Sequence, residues 1–132
     1  MKYVRFIFQK RATYGILEED KRIKVIDGDI FANHKVSHQT LSLDEVQLLA
    51  PCVPSKAVCV GLNYRDHARE MNLEIPKQPL IFLKPSSALN NPDGVIEYPT
   101  VCHNLHYEAE LAIVIGKKAR KVAKMDADKF VF

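Results

Sequence analysis

Hydrophobic and polar residues alternate along the first part of the chain in the manner of short β-strands. Side chains that repeat every two residues lie on the same face of a strand, and acidic or glycine-containing breaks favour turns. Turn-forming residues occur at Glu18-Glu19-Asp20 and at Asp27-Gly28-Asp29, and residues 33–41 are polar without a clear pattern. The segments predicted as strands are residues 2–9, 12–17 and 22–26.

The segment from Ser42 to Leu49 predicts a short helix. Ser42 precedes Glu45 by three residues, which is the spacing of a capping box, and Pro51 ends the segment. Pro51 and Pro54 flank a linker. We therefore predict a small β-rich N-terminal domain over residues 1–53 and the first part of a second domain over residues 54–132.

The second part of the chain combines predicted strands with turn-rich loops. A polar helical segment is predicted over residues 63–71, with Asn63 as its cap. An apolar segment begins at Lys129 and stops at Phe132, from which we expect a domain that continues further. The predicted strands are residues 56–60, 80–83, 95–98 and 106–115. The fold class is therefore mainly β with short helices.

Composition excludes several classes of protein. Hydrophobic residues make up 47% and charged residues 27%, which is typical of a soluble globular chain. The longest apolar run, Leu111 to Ile115, is far shorter than the ~18 residues of a membrane span. Arg5 and Lys10 interrupt the start of the chain, so we expect no signal peptide and a cytoplasmic location. The 3 cysteines lack C-x-x-C spacing, which excludes a disulfide framework or a zinc knuckle.

The net charge of +3 does not indicate a nucleic-acid-binding protein. Basic residues are concentrated after Gly116, but they do not form a stripe with the aromatic or polar readers typical of such a surface. We interpret this cluster as a solvated turn and expect neither nucleic acid nor membrane as a partner.

The predicted strand 106–115 has two faces of different character. Its second face carries Glu108 and Glu110, which lie about 7 Å apart along a strand. Two like charges on a half-covered face require a cation, and hard divalent ions such as Mg²⁺, Mn²⁺ or Ca²⁺ prefer carboxylate oxygens. The first face is wholly apolar and predicts core: Tyr107, Ala109, Leu111, Ile113 and Ile115.

Other interpretations of this strand stay open. Glu108 and Glu110 could lie on an open edge, each paired with a lysine or an arginine. His106 could be a third ligand, but a nitrogen ligand would favour softer metals, so a hydrogen-bonding role is favoured for it.

A second candidate site combines His67 with Glu70. At positions i and i+3 of a helix the two side chains lie on one face and can touch. A carboxylate beside an imidazole orients the ring and raises its basicity, which suits a general base. The alternative is an ordinary surface pair. Lys84, which follows a predicted strand, could attract an anionic substrate or simply extend its ammonium group into solvent.

Three blocks of the sequence together resemble the fumarylacetoacetate hydrolase family. Their order and spacing match the family, they cover residues 56–120, and the first 50 residues resemble the small N-terminal domain of many bacterial members. The blocks are Val58-Cys59-Val60-Gly61-Leu62-Asn63-Tyr64-Arg65-Asp66-His67-Ala68, then Ile81-Phe82-Leu83-Lys84-Pro85-Ser86, then Tyr107-Glu108-Ala109-Glu110-Leu111-Ala112 with Val114-Ile115-Gly116.

This resemblance implies an incomplete β-sandwich or roll of the fumarylacetoacetate hydrolase type, and a homodimer. It implies that Glu108 and Glu110 bind Mg²⁺ or Mn²⁺ together with an aspartate located after Phe132. It also implies that His67 and Glu70 activate water and that Lys84 lies near the substrate anion. The chain departs from some acylpyruvase-type members, which have an arginine at the position of Leu62.

The implied activity is metal-dependent hydrolysis of a carbon–carbon bond in a β-diketo acid of the acylpyruvate or fumarylpyruvate type. Isomerisation of a 2-hydroxy-dienedioate or decarboxylation of oxaloacetate, reactions of aromatic catabolism, use the same metal-enolate chemistry and stay open. The substrate is then a small dicarboxylic or 2-oxo acid. A non-catalytic β-rich binding module is the alternative from another class. The 132 residues alone are expected to be inactive.

Overall fold

A computed structural model describes residues 1–132 and contains mostly sheet with a few short helices, which confirms the predicted fold class. Its strands and helix are β1 Lys2–Phe8, β2 Arg11–Leu17, β3 Arg22–Gly28, β4 His34–Ser42, β5 Gln47–Leu49, β6 Lys56–Gly61, α1 Arg65–Glu70 and β7 Leu80–Pro85. Single 3₁₀ segments occur at Leu43–Glu45, Ser86–Ala88 and Lys124–Phe130.

The chain divides into two compact units, one made of Met1–Cys52 with Pro92–Phe132 and the other of Val53–Asn91. The predicted domain boundary after residue 53 stays a prediction. None of the helices has the length and apolar character needed to span a membrane.

The first unit contains a five-stranded antiparallel sheet with the strand order β4-β3-β2-β1-β5. The three strands predicted from the alternating pattern correspond to β1, β2 and β3. Gln9 and Lys10 join β1 to β2 with φ values of 47° and 63°. Positive φ at both residues is typical of the two-residue turns whose twist matches that of the strands they connect.

The core of this sheet lies on one face, around Phe6 and Ile23. Both side chains are fully buried, and each contributes roughly 1.5–3 kcal/mol through burial. Gly15 lies between them, since an added methyl group would overlap Cγ2 of Ile23 and come within 3.0 Å of the Phe6 ring. The partly buried residues that pack around this core are Val4, Phe8, Leu17, Leu41, Leu43, Val46 and Leu48.

The helix predicted over residues 42–49 is wrong. Ser42 makes no side-chain capping hydrogen bond, a single 3₁₀ turn follows it, and Gln47–Leu49 form β5. The backbone N–H of Leu43 donates to the carbonyl oxygen of Lys21 at 2.8 Å, and Leu48 pairs with Phe6 of β1. A capping box is a local signal, and here pairing with the sheet outweighs it.

β4 was not predicted, and it contains an irregularity. Lys24 of β3 pairs with Thr40, whereas Ile26 pairs with Val36, so residues 37–39 lie opposite Val25 alone. Within this irregular segment the backbone N–H of residue 39 donates to the hydroxyl oxygen of residue 37 at 3.1 Å. β4 is therefore a bulged strand.

The strands predicted at 95–98 and 106–115 are wrong, because neither segment joins a sheet within residues 1–132. Only Ile115 makes a β-bridge, with Val131. The predicted apolar core face is instead exposed, with Tyr107 at 96% and Leu111 at 80%. An alternating pattern indicates a strand face that is buried when neighbouring elements cover it. No strand of this chain covers the apolar face of residues 106–115.

The second unit consists of β6, α1 and β7. β6 and β7 pair antiparallel from Lys56 opposite Pro85 to Gly61 opposite Leu80. The structure places Tyr64 rather than the predicted Asn63 at the N-cap of α1, without a side-chain capping hydrogen bond. The predicted cap is therefore wrong, although the helix itself is present in shortened form.

The C-terminal end of α1 is closed by a Schellman motif. The N–H of Leu73 donates to the carbonyl oxygen of Ala68 at 2.9 Å, and that of Asn72 donates to Arg69 at 3.1 Å. Asn72 has φ 52°, the left-handed conformation that this cap requires and that asparagine tolerates.

Candidate active site

α1 brings the predicted pair His67 and Glu70 together. Nδ1 of His67 lies 3.7 Å from Oε2 of Glu70, one helical turn away. This separation is within ion-pairing range and is longer than a hydrogen bond. The side chain of His67 is 38% exposed and that of Glu70 79%, so both are accessible to a ligand.

A second pair on α1 serves as an internal comparison. Nη1 of Arg69 donates to Oδ1 of Asp66 at 2.9 Å, and both side chains are at least 80% exposed. These two residues are solvent-exposed charges on the same helix. Exposed pairs of this kind contribute at most about 1 kcal/mol to stability, so this pair is an ordinary surface ion pair and is not assigned to a functional site.

The turn before α1 has an unusual backbone conformation that sequence reasoning missed. Leu62 directly follows the last residue of β6 and has φ 51°. Glycine and asparagine are the residues that usually signal this conformation, so a leucine gives no indication of it.

Lys84 lies on β7, opposite Ala57 of β6, and is exposed. It belongs to the same compact unit as His67 and Glu70. An exposed ammonium group at this place is available to an anion, and the role of Lys84 near the substrate anion stays a prediction.

Glu108 and Glu110 lie on the exposed segment 106–115, in the other compact unit. Their carboxylates have the hard oxygen donors that Mg²⁺ or Mn²⁺ prefers. Within residues 1–132 no group of three or more His, Cys, Asp or Glu side chains is arranged to hold a metal ion. The donor type therefore fits a divalent cation, while the number of donors falls short of the six that such an ion requires.

Comparison with protein families accounts for nearly the whole chain. Residues 56–132 match the family model described as the C-terminal domain of fumarylacetoacetate hydrolase. Residues 1–51 match the model described as the Rv2993c-like N-terminal domain.

Related sequences occur in archaea and in animals. An uncharacterized protein of Methanocaldococcus jannaschii is 40% identical over 84% of this chain and 44% of its own length. A mitochondrial oxaloacetate tautomerase of Bos taurus, FAHD2A, is 46% identical over 66% of this chain and 28% of its own length. The chain thus spans less than half the length of these curated relatives.

A solved structure gives the same result for the fold. 5-Carboxymethyl-2-hydroxymuconate delta-isomerase from Mycobacterium smegmatis is 32% identical, with a TM-score of 0.82 over 99% of this chain and 51% of that structure. The family resemblance read from the three sequence blocks is confirmed, and so is the fold type. The chain belongs to the fumarylacetoacetate hydrolase family.

Proposed function

We propose that residues 1–132 form part of an enzyme that hydrolyses a carbon–carbon bond in a β-diketo acid of the acylpyruvate type. The observation that carries this proposal is the placement of His67 and Glu70 on one face of α1, with 3.7 Å between Nδ1 and Oε2. Family membership supports enzymatic activity on a small molecule.

His67 acts as the general base in this proposal. Its imidazole removes a proton from water, and the resulting hydroxide attacks the carbonyl carbon distal to the carboxylate. The bond between that carbon and the adjacent methylene breaks, and its electron pair remains on the pyruvate fragment as an enolate, which is then protonated. The products are a carboxylic acid and pyruvate. The His67–Glu70 separation shortens when substrate binds, as catalytic hydrogen bonds commonly do.

The remaining predicted residues hold the substrate and the cation. Lys84 binds the substrate carboxylate through its exposed ammonium group. Glu108 and Glu110 are the residues that would hold Mg²⁺ or Mn²⁺, with Ca²⁺ as a further possibility. Such an ion supplies Lewis-acid stabilisation of developing enolate charge. A homodimer is part of the same proposal, and sedimentation velocity tests it.

A second candidate function is isomerisation or tautomerisation. The names of two similar proteins, an oxaloacetate tautomerase and a delta-isomerase, favour it. This reaction moves a proton between carbon and oxygen and needs no activated water. Decarboxylation of oxaloacetate likewise needs no activated water.

The experiment compares His67→Ala and Glu70→Gln with the control Asp66→Asn, which removes a solvent-side carboxylate from the same helix. The complete gene product is assayed with Mg²⁺ against acylpyruvates and oxaloacetate. His67→Ala should lower acylpyruvate hydrolysis by roughly 10²–10⁴-fold, the usual contribution of a general base, and reactions of oxaloacetate by much less. Asp66→Asn should leave both unchanged.

Other outcomes discriminate between the alternatives. Equal loss of both activities in His67→Ala, or no loss of either, contradicts the water-activating role. Robust tautomerisation without hydrolysis in the unmodified protein favours the second function. Absence of any metal-dependent turnover favours a non-catalytic binding module.

A further inference from the structure

Leu62 has a backbone conformation that its residue type disfavours. Seven residues other than glycine have positive φ, and Leu62 is the only apolar one among them. Leu62 is half-buried, and its φ is 51°. Left-handed backbone in a residue with a Cβ is energetically unfavourable and persists only where the surroundings enforce it. The other six are polar: Gln9, Lys10, Lys21, Asn72, Asp93 and Lys121.

Leu62 directly follows the last residue pair of β6 and β7. Gly61 ends β6 opposite Leu80, and a methyl group on Gly61 would come within 3.0 Å of Cδ2 of Leu80. Leu62 then turns the chain, and Tyr64 is extended again, with φ −112° and ψ 131°, before α1 begins. Leu62 is therefore the residue with left-handed backbone between β6 and α1.

The direction of α1 depends on this turn. α1 has only six residues and makes few contacts with either strand of its unit. A helix this short is not stabilised by its own hydrogen bonds alone. Ala68 is the one buried residue of α1, so a single side chain anchors the helix and the turn before it also restricts the direction of its axis. The left-handed backbone at Leu62 consequently contributes to where the His67 side chain points relative to β6 and β7.

We propose that Leu62 is a positioning residue for the His67–Glu70 pair. The left-handed turn at Leu62 helps to set the direction in which α1 presents the imidazole to the substrate. This inference rests on the proposed function of His67. A relaxed turn would leave the pair intact within α1 but would rotate the helix as a body, and displacement of a catalytic group by about 1 Å can reduce a rate by about 10²-fold.

The test compares two substitutions at this position in the complete gene product. Leu62→Asn retains a residue that tolerates the left-handed conformation, whereas Leu62→Ile introduces a β-branched residue that strongly disfavours it. We expect Leu62→Ile to lower kcat by about 10–100-fold with a much smaller change in KM. Leu62→Asn should restore kcat to within about threefold of the unmodified enzyme. Should Leu62→Asn fail to fold, Leu62→Gly replaces it, because glycine adopts this conformation without strain.

An NMR measurement separates positioning from folding. The amide signals of Met71, Asn72 and Leu73, whose N–H groups close α1, should be unchanged in Leu62→Ile. Loss of kcat together with these signals would overturn the proposal, since Leu62 would then serve folding alone. Equal kcat losses in the asparagine and isoleucine variants, or unchanged kcat in Leu62→Ile, would overturn it as well.

His67→Ala is the control for the underlying function. If that variant keeps full activity, the proposed role of His67 fails, and the positioning proposal fails with it. If His67→Ala loses activity while Leu62→Ile does not, only the positioning proposal fails.

Discussion

The ring of Phe132 packs on the ring of Phe31, with centroids 4.7 Å apart and planes tilted by 51°. Tyr3 of β1 also packs against Phe132, with ring centroids 5.3 Å apart. Backbone hydrogen bonds from Phe132 to Val114 and from Gly116 to Phe130, 2.9 and 2.8 Å long, join the end of the chain to residues 114–116. The last residue of the first unit thus packs against β1 and against the turn between β3 and β4.

Phe132→Ala should therefore loosen this attachment. Two aromatic contacts disappear, each contributing about 0.5–1.5 kcal/mol, so the free energy of unfolding should fall by about 1–3 kcal/mol. Urea denaturation followed by circular dichroism measures the change. Met125→Ala, at a side chain that is 87% exposed, is the control and should have no effect. Equal stability of the two variants would show that the aromatic contacts do not hold the segment.

Gly15→Ala should destabilise the sheet although it adds only one methyl group. The new Cβ would overlap Ile23 and approach the carbonyl oxygen of Lys24 to 2.8 Å, so β2 or β3 must shift. Overpacking of this kind typically destabilises by about 1–3 kcal/mol, and the same denaturation experiment measures it. Ala12→Ser, at an exposed position of the same strand, is the matched control. A stability equal to that of the unmodified chain would contradict the packing described around Gly15.

Tyr14 should make stability depend on alkaline pH. Burial raises the pKa of its phenol above the ordinary value of 10.0, against an opposing effect of the Arg5 guanidinium. The folded state thus binds the phenolic proton more tightly than the unfolded state does. The corresponding stabilisation is fully present below about pH 10 and is lost as pH rises through the higher pKa of the folded state.

The measurement is the free energy of unfolding of the unmodified chain and of Tyr14→Phe between pH 8 and pH 11. The phenylalanine variant should show a smaller decrease above about pH 10, because it has no phenol to ionise at this position. Identical slopes in the two proteins would rule out Tyr14 as the source.

Glu110→Gln should weaken Mn²⁺ binding by orders of magnitude in the complete gene product while leaving the fold intact. The amide has lost the negative charge that a hard divalent ion prefers. Calorimetric titration measures the affinity, and Glu97→Gln, an exposed site in the same compact unit, is the control. Unchanged Mn²⁺ affinity in Glu110→Gln would remove this residue from the metal site.

Residues 1–132 alone should bind the same ion weakly and show no turnover. Two carboxylates leave most of the coordination sphere to water, and such an ion is poorly held. The assay runs this chain beside the complete gene product, with Mg²⁺ and both acylpyruvates and oxaloacetate. Full activity of the shorter chain would require a third ligand within it, with His106 the first residue to test.

Sequence patterns predicted the elements that are determined locally and missed those determined by neighbours. β1 to β3 follow from alternation and turn residues, and α1 carries His67 and Glu70 as their spacing predicted. The strand β4 is polar because it lies at the edge of the sheet, so no hydrophobic pattern revealed it.

The other differences between the predicted and observed elements also arise from contacts with neighbouring segments of the chain. The capping box at Ser42 was outweighed by pairing of β5 with β1. The segment around Glu108 and Glu110 has the alternation of a strand, but strand formation requires a neighbour, which sequence pattern alone cannot supply. The positive φ of Leu62 was likewise not predicted, because leucine is not a residue type that indicates left-handed backbone.

The bulge in β4 has a consequence for how the molecules behave in concentrated solution. β4 is the outermost strand of its sheet, and a regular outer strand offers a continuous row of N–H and C=O groups to which a strand of another molecule can add. Residues 37–39 interrupt that row in the middle, and Lys35 and His38 place polar side chains along it. Addition of a strand from another molecule to the β4 edge is therefore disfavoured.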